Sequence, residues 1–103
     1  MPGHSSYDLK AVNKSSDPEK KYEAVFENEK TGREKTVKFG AKGMDDYTIT
    51  GDKEQRARYR ERHAKDLRTG DPTRAGFLSY YLLWGESTSM VKNLADYRRR
   101  FNL

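Results

Sequence analysis

The stretch KYEAVFENEKTGREKTVKF, residues 21–39, decides the architecture of this 103-residue chain. From Lys21 to Glu27 the apolar residues Tyr22, Ala24 and Phe26 alternate with polar neighbours, the period at which a strand sends every second side chain to one face. From Arg33 to Phe39 the alternation returns as Lys35, Val37 and Phe39. Between the two runs lies Asn28-Glu29-Lys30-Thr31-Gly32, and Gly32 can take the left-handed conformation that a short hairpin loop needs. The segment predicts an antiparallel hairpin over residues 21–39. Upstream, Tyr7, Leu9 and Ala11 repeat the alternation and predict a further strand, separated from the hairpin by the turn cluster Ser15-Ser16-Asp17-Pro18. Residues 1–6 hold Gly, Ser and Pro with nothing to bury and read as a flexible tail.

Beyond the hairpin the period changes. Gly40 and Gly43 release the chain from the sheet, and Gly40-Ala41-Lys42-Gly43 departs from the phosphate-binding P-loop pattern, so it reads as a connection. Asp52, with Gln55 three residues on, has capping-box spacing and predicts a helix over about 53–67. Asp71-Pro72 opens a second helix over 72–84, ended by Gly85. Its Ala75, Phe77, Leu78, Tyr80, Tyr81, Leu82, Leu83 and Trp84 are apolar nearly all round, which makes it the central core helix. A third helix over 88–101 carries Met90, Val91, Leu94, Tyr97 and Phe101 at helical spacing. The expected fold is a single α+β domain over residues 7–103, with a small antiparallel sheet of two or three strands packed against three helices.

Composition narrows the function. Hydrophobic residues make up 33% of the chain, charged ones 36% and aromatics 12%, which implies a small, ring-rich core under a charged surface. The absence of cysteine excludes a disulfide framework, thiolate zinc and a thiol nucleophile. The longest apolar run, Tyr80 to Trp84, is far short of the roughly 20 residues a membrane span needs, and no signal-peptide core is evident. A soluble, unexported protein with no membrane partner is expected. Residues 1–52 hold nine Lys/Arg against ten Asp/Glu, whereas residues 53–103 hold twelve, nine of them Arg, against six. The second half therefore seeks an anionic partner.

Catalysis lacks an inventory. The histidines are His4, in the tail, and His63, in the first helix, with no base–nucleophile set and no second His at i±4 to share a metal. Asp45 and Asp46 are neighbours in extended chain and point to opposite sides, which suits a turn and cap ahead of Tyr47. No enzyme activity, metal or cofactor is expected. In the first helix Lys53, Arg56 and Arg60 fall within about 60° of one another and Arg58, Arg62 and Lys65 gather roughly opposite, giving two basic flanks. Glu61 and Lys65 have the i,i+4 order of a stabilising pair. Ala57, Ala64 and Leu67 form a narrow apolar seam for packing. His63 packs on its i−4 neighbour Tyr59, the pair extending the core, with base stacking as the alternative. The corner Gly85-Glu86-Ser87 has helix-turn-helix spacing, but the helix after it offers bases little, so it reads as an ordinary helical corner. Arg98, Arg99 and Arg100 at its far end suit phosphate or the helix dipole. The candidate nucleic-acid-binding residues are thus Arg56, Arg58, Arg60, Arg62, Lys65, Arg98, Arg99 and Arg100.

The run Lys38 to Thr48, then Arg60-Glu61-Arg62-His63, Leu82-Leu83-Trp84-Gly85 and Ala95 to Phe101, together resemble a family of small basic proteins of undefined function encoded by large DNA viruses of algae and protists. The resemblance spans about residues 20–101. It implies a virion- or genome-associated role, located in the virion or in host cytoplasm or nucleus, and brings no catalytic residues. The expected function is binding of nucleic acid through phosphates with little sequence specificity. The alternative is a structural virion protein that acts by contact with other virion proteins.

Overall fold

A computed structural model describes residues 7–103, so the tail read at residues 1–6 lies outside the described residues. The hairpin is the core of a three-stranded antiparallel sheet, β1 (Tyr7–Lys14), β2 (Lys20–Asn28) and β3 (Glu34–Ala41), in that order. Tyr22 stands opposite Phe39, Ala24 opposite Val37 and Phe26 opposite Lys35, so the alternation that defined the strands also sets their register. Asn28 closes the loop: its amide and Oδ1 bond the backbone of Arg33, Lys30 and Thr31, while Gly32 turns with φ 73°.

β1 corrects one expectation. Leu9 opposes Phe26, but the register then shifts, so that Val12 and not Ala11 opposes Ala24 and packs on the core. A bulge inserts one residue, and a one-residue slip exchanges the faces of everything after it.

Among the described residues there are four α-helices where three were expected, and the class is α+β. α1 (Tyr47–Thr50) is a single turn capped by Asp46, whose Oδ1 accepts the Thr48 amide at 2.8 Å. α2 (Lys53–His63) is capped by Asp52 and continues as a 3₁₀ stretch over Ala64–Thr69. Gln55 does not close the capping box, because its Oε1 accepts from the Thr50 hydroxyl instead. α3 (Ala75–Leu78) runs without a break into a π-helical turn, Ser79–Leu83, in which the Trp84 amide reaches back to the Ser79 carbonyl. α4 is Met90–Phe101.

α3 starts later than Asp71-Pro72 implied. The Asp71 carboxylate accepts both the amide (2.9 Å) and the hydroxyl (2.6 Å) of Thr73, and the Pro72 carbonyl accepts the Tyr97 hydroxyl. Those bonds hold the segment as a turn. From Ala75 the chain becomes the central element, with Phe77, Leu78, Leu82 and Leu83 buried against Phe26, Phe39 and Tyr97. Asn93, buried in α4, ties the corner: its Nδ2 donates to the carbonyls of Leu82 (3.0 Å) and Ser87 (2.7 Å), and its Oδ1 accepts the Ser87 amide (3.1 Å). Gly85 makes this closeness possible, since a Cβ there would lie 2.2 Å from the Tyr81 carbonyl oxygen.

Candidate nucleic-acid interface

α2 lies over the corner between α3 and α4, and the way it lies sorts its cations. Its half-buried side is Gln55, Arg56, Tyr59, Arg60 and His63, at i, i+3/i+4 spacing. Ala57 and Ala64, expected as a packing seam, are exposed, and of that seam Leu67 alone is half-buried. Two methyl groups bury little area, whereas rings and guanidinium planes cover much more.

Arg56 and Arg60 are consequently engaged by the protein's own corner. Arg56 donates from Nη1 to the carbonyls of Gly85 and Glu86, both at 3.2 Å, and lies 4.6 Å from the Tyr47 ring centroid. Arg60 pairs with Glu86 at 3.1 Å and lies 4.6 Å over Tyr80. A planar cation that stacks and donates at once is well matched to a corner offering carbonyls, a carboxylate and tyrosines. Arg98 is also committed: its Nη2 donates to the Leu9 carbonyl at 2.8 Å, beside the β1 bulge. Arg99 and Arg100 pair with Asp96 at 2.6 and 3.4 Å, exposed contacts of small energetic value.

Arg58, Arg62 and Lys65 behave differently. They stand exposed at i, i+4 and i+7, one row along the outer side of α2 and into its 3₁₀ extension, which holds Lys65. Among the described residues none of the three forms an ion pair or a side-chain hydrogen bond, and the expected Glu61–Lys65 pair does not close.

Arg62 also lines a cleft of about 630 Å³ between the β2–β3 end of the sheet, α2 and α3. That volume lies within the range of small-molecule sites. Lys20 and Lys38 enter from the strands, both exposed and without ion partners among the described residues. One wall is a stack of three rings. Tyr59 lies between Trp84, at 4.4 Å and 10°, and His63, at 4.1 Å and 23°, so the expected Tyr59–His63 contact is present and extends to the core. The π turn delivers the third ring: an extra residue in the turn re-aims the chain after it, and Trp84 comes to rest against Tyr59.

Asp66 completes this wall, its Oδ2 3.0 Å from His63 Nδ1. Asp66 is the partner that the sequence analysis did not assign to His63, although the i,i+3 spacing falls within the helix expected over 53–67. Burial, and after it the charge of Asp66, pushes the Tyr59 phenol above its ordinary range, so this ring is neutral at physiological pH. Among the described residues the hydrogen-bond partner of the His63 ring is Asp66. Asp46, the buried member of the Asp45–Asp46 pair, caps α1 and bonds Lys21 Nζ at 2.5 Å, as a structural residue. No group of three or more metal-ligating side chains occurs among the described residues, and no helix among them is long and apolar enough to cross a membrane.

Sequence comparison finds a match over residues 10–63 to a family model described as a family of unknown function, DUF5754. The matched segment contains β2, β3 and β1 from Lys10 onward, with the Asp46 cap, Lys20, Lys38, Arg58, Arg62 and His63. No curated protein and no solved structure matches the chain.

Proposed function

Because the chain belongs to DUF5754, a family of unknown function, its role is to be sought in its own side chains, and we propose that it binds nucleic acid through phosphate contacts with little sequence specificity. The contacts are made by Arg58 and Arg62 of α2 and Lys65 of its 3₁₀ extension, with Lys20 and Lys38 across the cleft from Arg62. One observation carries this reading: these five unpaired cations stand together along the outer row of α2 and its 3₁₀ extension and at the mouth of the cleft, while Arg56, Arg60 and Arg98 are bonded to the protein's own carbonyls, carboxylate and rings. Free, clustered cations release counterions when they meet a phosphate chain, and that release supplies sequence-independent affinity. No groove-reading helix is invoked, since α4 is packed into the corner through Asn93. The role is binding, not catalysis, and no metal or cofactor takes part. The resemblance to proteins of large DNA viruses supports a viral genome as the proposed partner and the virion or infected cell as the proposed setting.

A mobility-shift titration with single-stranded and duplex DNA tests this. Replacing Arg58 and Arg62 together by Glu should abolish retention at a salt concentration where the wild-type protein is fully shifted. An unchanged shift would remove α2 from the interface.

A second reading, a structural virion protein acting by protein contact, is favoured by a different observation. Met44 and Ile49 are 64% and 63% exposed, and with Tyr22 they line a shallow groove of about 420 Å³. Exposed apolar residues gathered in one groove are a feature of protein-binding surfaces. Cross-linking in purified particles separates the readings: a single saturable partner at Met44 and Ile49, with no DNA bound, selects the second.

A further inference from the structure

The ring stack beside the cleft has no role in phosphate binding as such. Trp84 is buried and Tyr59 is covered on both faces, but the stack ends at His63, whose side chain keeps 37% of its surface exposed and lines the cleft. A terminal ring open to a cavity offers a π-face for a further ring. Asp66 holds His63 in place through Nδ1, so that its plane is set before any ligand arrives. Lys20, Lys38 and Arg62 line the same cleft, and a ring bound there would carry its phosphate among them. Gln55 and Ser79 add polar side chains to the lining, which favours a heterocycle with hydrogen-bonding edges over a plain hydrocarbon. A volume of about 630 Å³ is ample for one nucleotide.

From this juxtaposition we infer that the cleft is a nucleotide subsite: one base of a bound single strand enters it and stacks on His63, while the adjoining phosphate meets Arg62 and Lys38. The inference rests on the nucleic-acid reading above and specifies it, from duplex-tolerant attraction to capture of an unpaired nucleotide. Stacking is indifferent to base identity, because every base presents a π-face, so the subsite keeps binding sequence-tolerant.

The chain carries its own probe. Trp84 is the single tryptophan, and it lies one ring from His63 in the stack. Titrating the full-length protein with millimolar nucleoside monophosphates should change Trp84 emission saturably, whereas inorganic phosphate should compete weakly and leave the emission as it was. His63→Ala should weaken monophosphate binding about tenfold, the usual order for loss of one stacking partner, and His63→Phe should restore it. Because Phe keeps a ring on Tyr59, that variant also guards against loss of binding through disturbed packing. Equal binding of inorganic phosphate and monophosphates would overturn the stacking and leave only an anion site. No response to monophosphates, with salt-sensitive binding of long oligonucleotides intact, overturns the subsite alone, whereas loss of both removes the nucleic-acid reading with it.

Discussion

The proposed interface rests on five cations, Arg58, Arg62, Lys65, Lys20 and Lys38, where the helices alone had offered eight candidates, and the two sets predict measurably different salt dependence. Each phosphate contact to a single strand contributes about −0.7 to the slope of log K against log salt, so five contacts give a slope of about −3.5 and a fall in affinity of roughly 130-fold between about 50 and 200 mM salt. Eight contacts would give about −5.6, a fall of well over a thousandfold across the same range. Replacing Arg58, Arg62 and Lys65 together by Gln leaves two contacts and should flatten the slope to about −1.4, a roughly sevenfold loss. Arg60→Gln should behave in the opposite manner. Its guanidinium serves Glu86 and Tyr80, so the slope stays near −3.5 while the melting temperature falls. The assay is fluorescence anisotropy of a labelled oligothymidine titrated at several salt concentrations, with circular-dichroism melts of every variant. A wild-type slope shallower than about −1, or an unchanged slope in the triple variant, would refute the assignment of α2 to the interface.

Three further outcomes follow from the packing and the titrating groups. Gly85→Ala places a methyl group 2.2 Å from the Tyr81 carbonyl oxygen and 2.9 Å from Asn93 Cγ; this overpacking should cost about 1–3 kcal/mol and lower the melting temperature by roughly 5–20 °C in a thermal scan. Burial would by itself raise the Asp71 carboxyl, but the Thr73 hydroxyl and amide, with Lys35 and Arg74 nearby, hold it below its ordinary 3.8. The ionised form thus stabilises the fold above pH 3.8 and that contribution is lost as pH falls through the depressed value, so Asp71→Asn should be less stable at neutral pH yet lose less on acidification, as urea melts across the acid range would show. Burial pushes the Tyr97 phenol far above its ordinary 10.0, so its contribution is intact below pH 10.0 and declines as pH rises beyond it. Tyr97→Phe, which removes the bond to the Pro72 carbonyl, should cost about 1–2 kcal/mol at neutral pH but shallow the alkaline decline, with Tyr59 left to supply the remainder.

What was legible in the sequence is what depends on near neighbours. The β2–β3 hairpin follows from alternation at period two and from an Asn–Gly loop whose bonds close within six residues. The core helix followed from an apolar run, and the Asp52 cap from a carboxylate ahead of a helical pattern. The bulge near Lys10 was hidden because Ala11 and Val12 are both apolar, so either register satisfies the pattern. The fates of Arg56 and Arg60 were hidden because their partners at Gly85 and Glu86 lie 26 to 30 positions away, and no local rule predicts which carbonyls a corner will present. The cleft was hidden for the same reason: Lys38 and Arg62 belong to different elements and come to line one cleft only in the folded chain. Trp84 read as core and is buried, but its place in a stack with Tyr59 depends on one extra residue in the π turn, which residue types do not announce.

The Arg98–Leu9 contact also bears on how the protein keeps to itself. An open three-stranded sheet has two rims, and a rim with idle carbonyls and amides invites a second chain to add a strand. On the β1 rim the bulge breaks the even spacing an incoming strand would need, and the Leu9 carbonyl is already occupied by a guanidinium from the far end of the chain. Arg98, reaching from α4 to that carbonyl, thereby works with the bulge as a stopper against strand addition and fibrous self-association at this rim.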